Sequence, residues 1–191
     1  MRKASAEGIC RHDGLDLLRY AILFPDFGEE EEQLTSFYRD VALAEEKGVR
    51  EGLFPLLKER YDADPSRRKR YRSPLWVYRS ETVLCFEKED LLSLKCERLL
   101  FRGRELMKRE LRAEVWERST GLLLSPRHFL PSAKERRQIP PGAAFCLTPE
   151  GAVAESVFFS PENGKRSSKK LLFPGKNEFF VKRSQKRRKD S

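Results

Sequence analysis

Arg67-Arg68-Lys69-Arg70-Tyr71-Arg72 is the segment whose residue types speak most directly of chemistry. Five cations around one aromatic ring can neutralise phosphates and stack on a base, as sequence-tolerant nucleic-acid contacts do. Arg67, Arg68, Lys69, Arg70 and Arg72 are therefore the candidate polyanion-binding residues. Lys186-Arg187-Arg188-Lys189, near the C-terminus, is a second and generic attractor of polyanions. The same first run serves equally as a solvated linker between a helix and a sheet. It does not match the aromatic strand of an RNA-recognition motif, and neither zinc-finger spacing nor a helix-turn-helix accompanies it.

The remaining reactive side chains carry weaker signals. His12 sits in a polar stretch, and His128 lies between Arg127 and Phe129 with no Cys, His or acid at ligand spacing. Both read as structural or surface histidines. Of the four cysteines, Cys85, Cys96 and Cys146 fall in apolar strand-like stretches and Cys10 in a polar end. None has C-x-x-C spacing or a neighbouring His, so they read as reduced core thiols and not as activated nucleophiles. Acid pairs at Glu29–Glu32, Glu45-Glu46 and Glu89-Asp90 stand in charged surroundings where solvation, not burial, is expected. The chain lacks a G-x-S-x-G elbow, a P-loop and a strand-borne G-x-G-x-x-G. No cofactor, no metal and no catalytic residue is implied, and the chain is read as a non-enzyme.

The elements that hold these residues follow from periodicity. Leu15 to Phe27 reads as a strand closed by Pro25 and Gly28. Leu34, Phe37, Tyr38, Val41, Ala42 and Glu45 then recur at i, i+3, i+4 and i+7, the face of an amphipathic helix. Gly48 marks a weak point, and Pro55 predicts a kink or a second helix start before Asp62-Ala63-Asp64-Pro65 ends the helical region. From Ser73 the period changes to two. Leu75 to Phe86 is one strand, and Leu92, Leu94 and Cys96 alternate with Ser93, Lys95 and Glu97, predicting one buried and one solvated face. Leu111, Ala113 and Val115 alternate likewise, Gly103 is a turn glycine, and Leu122-Leu123-Leu124 is a short return strand. Ser125 to Arg137 is a short helix or loop. Thr148-Pro149-Glu150-Gly151 turns a hairpin between Ala144–Leu147 and Ala152–Phe159. Leu171-Leu172-Phe173 and Phe179-Phe180-Val181 are the last strand-like pieces.

Helices grouped ahead of consecutive strands predict an α+β fold, with one or two N-terminal helices packed on a mainly antiparallel β-sheet. At 191 residues the chain has the length of one domain that folds without disulfides or metals. The expected organisation is a flexible N-terminal end at 1–14, one domain over 15–182 and a basic disordered tail at 183–191. The net charge of +9 favours anionic partners, but much of it belongs to the Arg67–Arg72 run and the tail. No secretory pattern opens the chain and nothing approaches a membrane-spanning apolar run, so a cytoplasmic protein without a membrane span is expected.

Several short motifs occur in a shared order: Phe24-Pro25-Asp26-Phe27, Ser36-Phe37-Tyr38, Ser93-Leu94, Trp116-Glu117-Arg118-Ser119-Thr120-Gly121-Leu122-Leu123-Leu124 and Phe145-Cys146-Leu147-Thr148-Pro149-Glu150-Gly151. In that order the sequence resembles the RsiV-like bacterial domain family (domain of unknown function 3298), over roughly residues 15–182. Family domains occur in the extracytoplasmic part of a lysozyme-sensing anti-sigma factor and beside some peptidoglycan-deacetylase domains. The resemblance implies an α+β domain without catalytic residues of its own. The chain departs from the family pattern at Arg102-Gly103-Arg104-Glu105-Leu106, where members often carry Gly-Gly-Ala-His, and at Glu117, where Asp is usual. The family's signal and membrane anchor are also missing, so lysozyme recognition does not carry over. The function expected is a non-catalytic binding or accessory domain with a protein partner. The alternative is a nucleic-acid-associated protein using Arg67–Arg72 and the tail.

Overall fold

Asp13-Gly14 reverses the chain near its start. Both residues take positive φ, 51° and 73°, the backbone of a tight hairpin turn. The computed structural model describes residues 2–64, 75–130, 132–159 and 166–174. The Arg67–Arg72 run, Phe179-Phe180-Val181 and the tail at 183–191 lie outside the described residues. The turn joins β1 (Arg2–His12) to β2 (Leu15–Asp26) as an antiparallel pair. A strand thus stands where a flexible end is expected. Its half-buried positions alternate through Ala4, Ala6, Gly8 and Cys10, side chains too small to register as an apolar pattern, so backbone pairing along β2 supplies most of its hold.

The described residues divide into two compact units, one drawn from residues 1–82 and 97–110, the other from 83–96 and 111–191. The sequence suggests one domain over 15–182; here β3 (Trp76–Lys88), β4 (Leu91–Arg102) and β5 (Glu105–Glu117) are long enough to give residues to both units. Strand order is β1-β2-β3-β4-β5-β6 in a six-stranded sheet, with β6 at Leu122–Leu123. A three-stranded sheet holds β7 (Ala144–Thr148), β8 (Gly151–Phe159) and β9 (Arg166–Pro174). The fold is α+β and mainly antiparallel, with one long helix and more sheet than the sequence suggests.

In the first unit, β2 runs parallel to β3, from Leu18 opposite Trp76 to Leu23 opposite Glu81. A parallel pair needs a crossover, which α1 (Glu32–Gly48), a π-helical turn (Val49–Leu53) and α2 (Phe54–Ala63) provide. α1 ends at Gly48 and α2 opens at Phe54 with Pro55 in its first turn, close to where those residues suggest; Pro lacks the N–H that an unbroken helix would use. The pairing register slips between Cys10 and Arg11 and leaves Leu17 as the extra residue on β2. That bulge lets two consecutive residues, Leu17 and Leu18, both enter the core. They pack with Tyr20, Ile22, Ala42, Val49, Leu57 and Trp76. The buried face of α1 carries Thr35, Tyr38 and Ala42, while Phe37 and Val41, assigned to that face from periodicity, are exposed.

In the second unit, Leu91, Val115, Phe129, Leu130, Phe145, Leu147 and Ala152 form an apolar core. The alternation in β4 is overridden: Leu91, Leu92, Ser93 and Leu94 are all buried. Ser93 is accommodated because its Oγ accepts the Leu147 N–H at 2.8 Å. β7 and β8 pair from Ala144 opposite Glu155 to Thr148 opposite Gly151, across the turn that Pro149 and Gly151 indicate. A short helix, α3 (Ala133–Arg136), lies in the predicted 125–137 segment.

Candidate functional site

Two exposed apolar side chains of the first unit, Ile9 and Leu43, line one concavity beside the outer strand. β1 ends the sheet order, so among the described residues one of its edges carries no neighbouring strand. Next to that edge is an open concavity of about 690 Å³, lined by Ile9, Cys10 and Arg11 of β1, Leu43, Glu46 and Lys47 of α1, and Arg50, Glu51 and Phe54. Ile9 is 46% exposed and Leu43 54%. The rim charges are mixed: Lys47 pairs with Glu51 at 3.8 Å and Arg50 with Glu46 at 3.5 Å, both well exposed on the cationic side. Such pairs add little stability and exchange readily with a ligand's charges. The π-helical turn widens α1 where Arg50 and Glu51 leave it, a local geometry that recurs at functional sites.

Behind this groove lies a polar layer. Tyr20 donates its hydroxyl proton to Glu46 at 2.5 Å, and Tyr78 donates to Glu45 at 2.7 Å. Arg98 holds the other Glu45 oxygen with its Nε at 3.0 Å and with Nη2. The Glu45 side chain is only 8% exposed. The expectation that Glu45-Glu46 is a solvated acid pair is therefore corrected. The signal was present in the sequence, because Glu45 falls on the apolar rhythm of α1. Gly8 is required beside this layer, since a Cβ there would lie 2.3 Å from Tyr20 Oη.

Burial first, and then the hydrogen bond to Glu46, raises the Tyr20 phenol, so it stays protonated at neutral pH. Burial raises the Cys10 thiol against the opposing pull of Arg50, which leaves an inert thiol and not a thiolate nucleophile. Cys10 itself packs against the first core cluster and not in a polar end.

His12 is anchored at the end of the hairpin. Its Nε2 meets Asp62 Oδ1 at 2.9 Å, its Nδ1 faces Asp13 at 3.9 Å, and its ring stands edge-on to Tyr61 at 5.6 Å. His12, Asp13 and Asp62 bring three candidate ligand atoms within 4.8 Å of one another. The two carboxylates nevertheless face opposite ring nitrogens, an arrangement that clamps the imidazole between β1 and α2. His128 is structural as well: its Nδ1 accepts the Ser125 N–H at 3.0 Å and closes a capping box. Asp90, of the third acid pair, accepts the Ser119 N–H at 2.6 Å and fixes the turn before β6. The candidate polyanion residues Arg67, Arg68, Lys69, Arg70 and Arg72 are not among the described residues. No described helix is long and apolar enough to cross a membrane.

The architecture is that of an α+β domain with a mainly antiparallel sheet and an open groove at one sheet edge. No protein-family model matches the chain, and no curated protein matches it. Among solved structures it is similar to a member of the DUF3298 family from Bacteroides fragilis, at 8% identity over 91% of this chain and 89% of that one, TM-score 0.46. It is also similar to a DUF3298 family protein from Pseudomonas aeruginosa PAO1, at 14% identity with the same coverages and a TM-score of 0.44.

Proposed function

We propose that this chain is a non-catalytic binding domain of the RsiV-like type, whose partner is a protein that lays an extended segment along the outer edge of β1. The observation that carries the proposal is the juxtaposition of that open edge with the groove between Ile9 and Leu43. An unpaired edge offers alternate N–H and C=O groups to an incoming strand, and adjacent apolar side chains select what that strand carries. The register slip at Cys10/Arg11 limits straight pairing to the first part of β1. The neutral Tyr20 and Cys10 favour binding over catalysis. The motif order quoted above supports the RsiV-like assignment. A cytoplasmic setting belongs to the same proposal and rests on four free cysteines, which a reducing compartment keeps as thiols.

The test places a photo-crosslinking residue at Ile9 and, in a separate chain, at Leu172, an exposed apolar residue of the second unit. A protein adduct at Ile9 that is absent at Leu172 and lost on Leu43→Arg is the expected result. Equal labelling at both positions, or none, contradicts the proposal. A nuclease-sensitive adduct would turn it toward the nucleic-acid alternative through Arg67–Arg72 and the tail.

A further inference from the structure

The groove beside β1 is walled by one face of the helical crossover. Leu43, Glu46, Lys47, Arg50, Glu51 and Phe54 recur at steps of three and four residues, and Ile9, Cys10 and Arg11 of β1 complete the lining. The helical wall is apolar at its two ends, Leu43 and Phe54, and charged between them. Its charges do not cancel toward solvent. The side chains of Arg11, Lys47 and Arg50 are 70%, 71% and 62% exposed. Of the two lining acids, Glu46 is only 22% exposed and already accepts the Tyr20 hydroxyl, which leaves Glu51 as the well exposed carboxylate. Asp16, which holds Arg11 at 3.0 Å, also holds Arg19 at 3.1 Å, so one charge there answers two cations. An occupant of the groove thus meets three exposed cations and one exposed anion among the described lining residues.

Resting on the reading that β1 receives an extended protein segment, we propose that this segment is acidic. It seats an apolar residue between Ile9 and Leu43 and sets carboxylates beside that residue against Lys47, Arg50 and Arg11. Straight pairing on β1 ends near Cys10, where the register slips. Past that point the backbone no longer fixes the fit, and the groove selects by side chain. Successive side chains of a strand alternate in face, so an apolar residue and an acid two positions away point the same way, about 6.6 Å apart. Leu43 and Lys47 are one helical turn apart, a rise of about 6 Å, which matches that step. The incoming carboxylates displace weak internal pairs, Lys47 with Glu51 at 3.8 Å and Arg50 with Glu46 at 3.5 Å. A basic segment would bring like charges against the same rim and is selected against.

The experiment selects peptides of about nine residues from a displayed random library on the full chain, then measures their affinities at low and high salt. The expected peptides are net negative, carry an apolar residue two positions from an acid, and bind about tenfold more weakly at high salt. Lys47→Gln combined with Arg50→Gln should weaken them by a similar factor. Leu43→Arg should weaken them as well, although it adds a cation; a general attraction to a basic chain would grow instead. A photo-crosslinking residue at Ile9 should label the selected peptides, which locates them even where a substituted chain fails to fold. Neutral or basic peptides that label at Ile9 and are lost on Leu43→Arg would overturn the acidic inference and leave the edge-binding reading standing. Acidic peptides that neither label at Ile9 nor weaken on Leu43→Arg, or no enrichment at all, would count against both.

Discussion

Tyr20, Tyr78, Glu45, Glu46 and Arg98 meet behind the groove of the first unit, whereas the second unit closes on Phe129, Leu130, Leu147 and Ala152. The first arrangement is held by directional bonds to half-buried charges. The second is held by contact area and tolerates a buried polar atom only where, as at Ser93, a backbone donor meets it. A polar layer costs desolvation and fixes geometry, while an apolar core contributes stability in proportion to the volume it fills. The unit with the polar layer is the one that carries the open groove, so the difference is between a region held by directional bonds and a region held by apolar contact.

The comparison breaks most visibly at Phe129, which is fully buried among large side chains. Phe129→Ala should lose about 3–5 kcal/mol in urea unfolding, through lost transfer energy and an unfilled cavity. A loss under about 1 kcal/mol would mean the second core is not close-packed. Glu45→Gln comes next. It leaves Arg98 without its anion at a position with little water, and should lose about 3 kcal/mol. Adding Arg98→Met should restore a good part of that, since the stranded charge is then gone; no restoration would show that the pair is not coupled. Gly8→Ala is smaller, about 1–3 kcal/mol, because Tyr20 is buried and tied to Glu46 and cannot swing away. Tyr20→Phe should not rescue it, since the ring carbon Cζ would still lie 2.4 Å from the new Cβ. The smallest effect concerns reactivity and not stability. Because Cys85 is lowered to about 7 while burial raises Cys10, alkylation of Cys85 should rise with pH through about 7 and Cys10 should react only at higher pH. Lys95→Met should move the Cys85 midpoint upward.

Much of the fold is legible in residues with strong local signals. The crossover helices follow from the α1 rhythm, Gly48 and Pro55, and the β7–β8 hairpin follows from Pro149-Glu150-Gly151. β1 is illegible because its inward face is built of Ala, Gly and Cys, and because an edge strand gains its stability from a neighbour and not from its own composition. The burial of Ser93 is illegible for a related reason. A strand that alternates looks half-solvated until β7 and β8 of the same unit cover its second face. The site follows the same division. Glu45 stands on the apolar stripe of its own helix and can be found by asking why an acid is there. The groove between Ile9 and Leu43 joins elements distant in sequence, and no local spacing announces it.

Amide hydrogen exchange on the full chain, alone and with the protein captured at Ile9, tests the binding surface most directly. The account predicts slowed exchange along the first part of β1 and around Leu43, with β7–β9 unchanged. Protection confined to β7–β9, or none along β1, would contradict it.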